Sequence, residues 1–278
     1  MFDNLFTFSG FIGPSVVFIL ILSVVLYLVT KYVNIFLFKM VGSTIFHAIA
    51  SIGVIIHESS HFVACYLFNH RVTEVQFFSV DRYTNTLGFV RHQYRVDSIF
   101  QIVGNFFIGI APLIGGGLML FLLFEFVFNS LFLNEQLSLA TAAMSNSNGL
   151  TSYLEAFVHS LPTLSTAIWL DLNSNPLMTS MCIVMCGSIA LHMFPSGKDL
   201  ESSAVGIIAL LLLIAGLVLT FEPLIAPLAK GINEVMSALV GFISIGVLSA
   251  AIVIATLLPV FLLRFLVKRL SAPKSQHA

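Results

Sequence analysis

Long apolar runs alternate with short polar segments along the whole chain. A helix rises about 1.5 Å per residue and the hydrocarbon core of a bilayer is about 30 Å thick, so a run of roughly 20 apolar residues predicts a membrane span. The pattern predicts an all-α polytopic membrane protein with about six transmembrane helices. The predicted spans cover residues 11–30, 44–68, 99–124, 177–194, 204–221 and 235–267.

A different pattern occupies residues 69–97, which form the one long polar stretch in the first half of the chain. Residues 74–80 and 87–94 are rich in β-branched and aromatic side chains, and the residues between them are turn-like. These features predict a small membrane-associated β-hairpin over residues 72–95. His92 falls within this polar stretch and is expected to be solvated.

The composition excludes several classes of protein. Of the 278 residues, 58% are hydrophobic and only 9% are charged, which is too few charges to cover a soluble protein of this length. The net charge of -1 gives no basic surface, so a nucleic-acid partner is not expected. The three cysteines lie in apolar runs and predict no disulfide framework. The expected surroundings of the chain are therefore a lipid bilayer.

Basic residues are distributed unevenly between the predicted loops. Four arginines lie within residues 71–95, more basic residues follow the sixth span, and residues 128–176 contain no lysine or arginine. Because basic residues favour the cytoplasmic side, residues 128–176 are predicted to form an outer loop and both termini to be cytoplasmic. This orientation leaves Lys31 and Lys39 on the outer side, against the rule.

The strongest chemical signal lies near the end of the second predicted span. His57 and His61 are four residues apart, so they share one face of a helix and can share a metal ion. Glu58, beside the first histidine, is placed to act as a base toward water at that ion. Ionisable side chains within an apolar segment are costly, and by default they indicate a functional site.

A third metal ligand has to come from elsewhere, because a catalytic zinc ion usually has three protein ligands and one open position. Asp199 follows the fourth predicted span, which runs inward like the second, so it is expected at the same membrane depth as the two histidines. An alternative role for Asp199 is to cap the N-terminus of the fifth span. The two roles are compatible.

The order of these segments resembles the site-2 protease family of intramembrane zinc metalloproteases. In that family a His-Glu-x-x-His helix is followed by a membrane-associated β segment, a second core helix, and a third core helix ending in an Asp-containing motif. The resemblance covers roughly residues 44–205. It implies that His57, His61 and Asp199 bind one Zn²⁺ ion and that Glu58 is the catalytic base.

The chain departs from the family pattern at several positions, so a divergent member is expected. His192 stands where the family has an Asn before its Pro, Asp199-Leu200 replaces Leu-Asp-Gly, and Ser60 replaces the usual Gly. His192 and Asn105 are candidates, by polarity and expected depth, for contacting substrate or an oxyanion. Hydrogen bonding between helices would also account for either residue.

The expected function is hydrolysis of peptide bonds in membrane-associated or transmembrane substrates. The protein would be multi-pass, with its active site near the cytoplasmic face. Residues 1–43 would form an N-terminal transmembrane helix and connector, residues 44–205 the metalloprotease core, and residues 206–278 the C-terminal transmembrane helices.

Two other functions fit parts of the pattern. A non-proteolytic metal-binding or ion-transporting membrane protein would also place ionisable residues within a span. A membrane metalloprotease of the prenyl-protein type would use the same His-Glu-x-x-His pattern with a Glu as third ligand. Glu125 and Glu222 are the available carboxylates, and the predicted orientation puts both on the side away from His61.

Overall fold

A computed structural model of the chain describes residues 27–80, 86–128 and 168–220, together with a few isolated positions. Helical residues 168–174 precede the fourth of the helices named below. In chain order the elements are α1 (residues 27–41), α2 (Ser43–Leu67), β1 (Arg71–Gln76), β2 (Phe89–Gln93), α3 (Ile99–Phe128), α4 (Pro176–His192) and α5 (Gly197–Thr220).

Three of these helices are long and apolar enough to cross a membrane. The spans are Ser43–Leu67, Ile99–Leu123 and Gly197–Leu217, with mean hydropathies of 1.4, 2.3 and 2.2. The first two confirm predicted spans, and the third begins earlier than predicted. Helix α4 has 17 residues, so it is about 26 Å long and shorter than a typical span. The prediction of six spans is not confirmed, since most of residues 11–30 and all of residues 235–267 lie outside the described residues.

Helix α1 folds back along α2 through a tight turn at Gly42. This glycine has a φ of 82°, a backbone conformation that favours glycine. The ring of Phe38 contacts the rings of Phe46 and His47, with centroids 5.5 and 5.9 Å apart. The apolar residues between Lys31 and the turn therefore belong to the first helix, and α1 runs antiparallel to α2.

Small residues allow close contact where the helices cross. An added Cβ at Gly53 would overlap the backbone of Ser188, and one at Gly116 would lie 2.5 Å from the Cβ of Met193. Ser188 also joins α4 to α2, because its hydroxyl donates to the carbonyl of Ile49 at 2.6 Å and accepts from the amide of Gly53 at 3.0 Å. Such contacts suit helix packing in lipid, where backbones must approach closely.

The predicted β-hairpin is confirmed, although its first strand is displaced along the chain and its second strand is shorter than predicted. Strands β1 and β2 pair antiparallel with Val75 opposite Val90 and an irregularity between Val72 and Glu74. The first strand begins and ends earlier than predicted because Val72 and Val90 turn inward and pack on a cluster from α2 and α3. Residues 81–85 of the predicted turn and most of the predicted outer loop at residues 128–176 lie outside the described residues.

Candidate metal centre

Three side chains from two distant segments meet at one point. His57 and His61 come from α2, and Asp199 comes from the first turn of α5. The Nε2 atoms of the two histidines are 3.2 Å apart. Asp199 Oδ1 is 3.3 Å from His61 Nε2, and Asp199 Oδ2 is 3.7 Å from His57 Nε2. Together they form a group that could hold a metal ion.

The spacing of these atoms fits tetrahedral coordination. Ligand nitrogen and oxygen atoms lie about 2.1 Å from zinc, so two ligands of one tetrahedral ion are about 3.4 Å apart. The two histidine nitrogens are 3.2 Å apart, and carboxylate oxygens of Asp199 lie 3.3 Å from that of His61 and 3.7 Å from that of His57. These distances are close to the tetrahedral value, so the three side chains could hold a single small ion.

Hydrogen bonds to backbone carbonyls fix the tautomer of both histidines. His57 Nδ1 lies 2.6 Å from the carbonyl oxygen of His192, and His61 Nδ1 lies 2.8 Å from that of Ile108. A carbonyl oxygen only accepts, so each Nδ1 carries a proton, and in the neutral ring each Nε2 then presents a lone pair. Two lone pairs and the carboxylate of Asp199 thus converge on one point, an arrangement that a cation stabilises.

Neither of the two accepting carbonyls has a backbone N–H donor within its own helix. His192 is the last residue of α4, and the final carbonyls of a helix have no intrahelical donor. Ile108 lies in the middle of α3, where its carbonyl would normally accept from the amide four residues later. That residue is Pro112, which has no N–H to donate. Helix α3 continues through Pro112, but the missing hydrogen bond leaves the carbonyl of Ile108 available to orient His61.

Asp199 is held in place by the start of α5. The amide of Ser196 donates to Asp199 Oδ2 at 2.7 Å, and the amide of Asp199 donates to Ser196 Oγ at 3.3 Å. This reciprocal pair is a capping box, in which Ser196 is the N-cap. The predicted capping role therefore belongs to Ser196, and Asp199 supports it from the third helical position while also facing the histidines.

Glu58 is buried beside this group, with 8% of its surface exposed. It lines a cavity of about 230 Å³ together with His57 and residues of α1, α4 and the segment before β2. Gly88 lies so close that an added Cβ would be 2.7 Å from Glu58 Cγ. The segment leading into β2 therefore covers Glu58, and glycine is the residue that permits this approach.

The two predicted oxyanion residues have different positions. His192 lines the same cavity as Glu58, and its Nδ1–H donates to the carbonyl of Ser188 at 2.9 Å. This bond leaves Nε2 as an acceptor, so neutral His192 has no ring donor for an oxyanion. Asn105 is 3% exposed, its Nδ2 has no partner in the described part of the chain, and it is not among the residues that line the cavity. The structure brings only His192 to this site.

Ser60, which departs from the family pattern, has a local explanation. Its hydroxyl donates to the carbonyl of Ile56 at 2.6 Å, so the polar group is satisfied within α2. The side chain faces Gly115 of α3, where any added Cβ would overlap it. A serine on α2 is therefore accommodated by a glycine on the neighbouring helix.

Sequence reasoning missed a second pair of histidines. His92 was expected to be solvated, but its Nδ1 lies 3.0 Å from Nδ1 of His70, whose Nε2–H donates to the carbonyl of Gln101 at 2.9 Å. Tyr94 stacks on the His70 ring. Burial lowers the pKa of His92 to about 4 and also lowers the pKa of His70. This pair ties β2 to the end of α2 and the start of α3.

No family model, curated protein or solved structure matches the chain.

Proposed function

We propose that the protein is a membrane-embedded zinc metalloprotease that cleaves peptide bonds of membrane-associated or transmembrane substrates. The observation that carries the proposal is the convergence of two oriented histidines and a carboxylate beside a buried glutamate at the edge of a cavity. The order of His-Glu-x-x-His helix, β-hairpin and Asp-bearing segment supports a relationship to the site-2 protease family, as a divergent member.

Zinc is the metal that suits this set of donors. Two imidazoles and one carboxylate are a common ligand set of catalytic zinc, and three protein ligands leave one position open. Bound zinc would lower the pKa of a water molecule and polarise the carbonyl of the scissile bond. The histidine and aspartate side chains are already oriented by backbone groups, which favours tight and specific binding.

Glu58 is the proposed general base and acid. It follows His57 directly on α2 and lines the same cavity, so a peptide held there would lie within reach of both residues. Its carboxylate accepts a proton from the attacking water and then donates one to the leaving amine.

The third-ligand alternative is less well supported by the structure. Glu125 lies on α3, 17 residues after Ile108, which corresponds to about 26 Å along the helix axis. Because Ile108 contacts His61, Glu125 is far from the metal group. Glu222 lies outside the described residues. Asp199 therefore carries the proposed third-ligand role.

The decisive experiment compares purified parent protein with Glu58→Gln. We expect the variant to keep one zinc ion per chain, measured by mass spectrometry of the metal, because Glu58 is not a ligand. Cleavage of a membrane substrate should fall by about 10²–10⁴-fold, since the proton acceptor is lost. Unchanged cleavage would overturn the proposal. Unchanged ion flux through vesicles, in protein that never cleaves peptides, would favour a transporter.

A further inference from the structure

The cavity beside Glu58 is much larger than catalysis by water alone requires. Its volume is about 230 Å³, whereas one water molecule needs about 10–15 Å³. The cavity is lined by His57, Glu58 and His192 and also by residues of α1. A ligand that fills the cavity therefore contacts both Glu58 and the first helix.

The α1 wall is a polar face on an otherwise apolar helix. Tyr27, Thr30, Lys31 and Asn34 line the cavity, and their spacing of three, four and seven residues places them on one side of the helix. The Thr30 hydroxyl donates to the carbonyl of Tyr27, and Asn34 Nδ2 donates to the carbonyl of Leu191. The Asn34 carbonyl oxygen is buried without a partner in the described part of the chain, so an acceptor remains open on this wall.

Lys31 is the charged group of this wall, and its depth is unusual. Lys39 lies near the turn at Gly42, whereas Lys31 is eight residues further along α1, about 12 Å deeper toward the metal group. A lysine at such a depth is costly in a bilayer and is normally directed to a cavity or a partner. Lys31 takes part in none of the four ion pairs found among the described residues.

We propose that Lys31 is the recognition site for a carboxylate on the substrate. The proposal rests on the proposed function, because the ligand is the peptide segment that lies against Glu58. The carboxylate belongs either to an acidic side chain near the cleaved bond or to a free C-terminus. Lys31 and Glu58 are the two formally charged side chains that line the cavity apart from the candidate metal group, so an anion at Lys31 neutralises the lysine and leaves Glu58 free for proton transfer.

The test measures binding separately from cleavage. The probes are fluorescent apolar peptides of one sequence with a single Asp, Asn or Lys at a scanned position, each made with a C-terminal amide and with a free C-terminus. Affinity is measured by anisotropy in detergent micelles on zinc-loaded Glu58→Gln, alone and combined with Lys31→Met, Lys31→Glu or Lys39→Glu. Lys39 is the matched control because it is a lysine on the same helix and does not line the cavity.

With Lys31 intact and a side-chain carboxylate as the ligand, at least one position should favour Asp over Asn by about tenfold, as expected for a hydrogen bond between charged groups. Lys31→Met should remove this preference, Lys31→Glu should shift it to Lys, and Lys39→Glu should leave it unchanged. Tighter binding of the free C-terminus than of the amide, with no preference for Asp over Asn, would assign the carboxylate to the chain end.

Equal affinity for all peptides, no measurable binding, or an equal loss in Lys39→Glu would overturn the proposal. The outcome is independent of catalysis. Charge-selective binding in a protein that never cleaves peptides would overturn the protease function and leave carboxylate recognition standing. Cleavage without any charge preference in binding would support the protease function and overturn carboxylate recognition by Lys31.

Discussion

Pro112 acts on the metal group through a backbone atom. Replacing it with alanine restores an amide that can donate to the carbonyl of Ile108, in competition with His61 Nδ1–H. We expect Pro112→Ala to weaken zinc binding by about 10–100-fold, as for loss of other groups that orient metal ligands. A chelator competition titration measures this.

The control for this variant is Pro176→Ala. Pro176 lies at the first turn of α4, and the carbonyl four residues before it is not one of the two that orient His57 and His61. Zinc affinity should stay at the parent value in the control. If Pro112→Ala also binds zinc like the parent, the freed carbonyl does not orient His61 in any way that matters for the metal.

Asp199 supports the start of α5 and also faces the two histidines, and a single substitution separates these two roles. Asp199→Asn retains a carbonyl oxygen that can accept from the amide of Ser196, so the start of α5 should remain stable. It removes the negative charge from the metal group, so zinc affinity should fall by orders of magnitude and proteolysis with it. Zinc content and thermal unfolding of the metal-depleted protein are measured together.

Ser196→Ala is the complementary variant. It removes the capping hydroxyl, which should cost about 1 kcal/mol of stability, while the carboxylate of Asp199 keeps its charge. Zinc binding should fall far less than in Asp199→Asn. Near-normal zinc content in Asp199→Asn would move the third ligand elsewhere.

The residues of the site differ in how well the sequence predicted them. The spacing of His57 and His61 placed them on one face because it depends only on helix geometry. The prediction of Asp199 also required a comparison of the membrane depths at which the second and fourth predicted spans end. The carbonyl of Ile108 could not be predicted, because every residue has a carbonyl and only the fold shows which one meets His61.

At the scale of elements, the His70–His92 pair makes the hairpin sensitive to pH. Burial lowers the pKa of His92 to about 4, and the pKa of His70 also lies below its usual value. The folded hairpin therefore holds both rings neutral, whereas the released hairpin lets them bind protons near pH 6.5. The released state binds more protons in this window, so the stability of docking should fall as the pH drops from about 6.5 toward 4.

Hydrogen exchange of the β1 and β2 amides measures this effect. Protection should be greatest at neutral pH and should weaken at pH 5 after correction for intrinsic exchange rates. A His92→Gln variant should lose most of this dependence, because the group with the larger shift is gone. Equal pH dependence in parent and variant would assign the effect to other groups.

The hairpin also shows why element boundaries were harder to predict than the element itself. The β-rich composition identified two strands, but the aromatic residues Phe77 and Phe78 placed the first predicted strand too far toward the C-terminus. In the structure, β1 ends at Gln76, and Phe77 packs on Phe62 of α2 with ring centroids 5.8 Å apart. A contact between distant segments of this kind cannot be read from the sequence around Phe77.

At the scale of the whole molecule, the proposed orientation places the hairpin in the cytoplasm. The reason is the cluster of arginines around it and their absence from residues 128–176. In sealed right-side-out vesicles, Ser147→Cys should react with an impermeant maleimide, and Gln76→Cys should react only after permeabilisation. The three native cysteines are buried, so background labelling should be low. Labelling of Gln76→Cys from outside would invert the topology.

The fold resolves part of an inconsistency in that orientation. Lys31 and Lys39 were both predicted on the outer side when the first span was placed at residues 11–30. Because the helix continues to residue 41, only Lys39 lies near the turn, and Lys31 lies beside the cavity. The sequence could not show this, since an apolar run does not reveal where a helix crosses its neighbour.

The hydrogen bonds that orient the three metal-binding side chains bear on the biogenesis of the protein. His57, His61 and Asp199 are each oriented by a carbonyl or amide of the chain itself. Membrane insertion and helix assembly can therefore be completed first, with the ion delivered to a finished binding site afterwards. If the protein is the proposed zinc protease, a cell short of zinc would accumulate intact, inactive protein that a later supply of the ion activates without new synthesis.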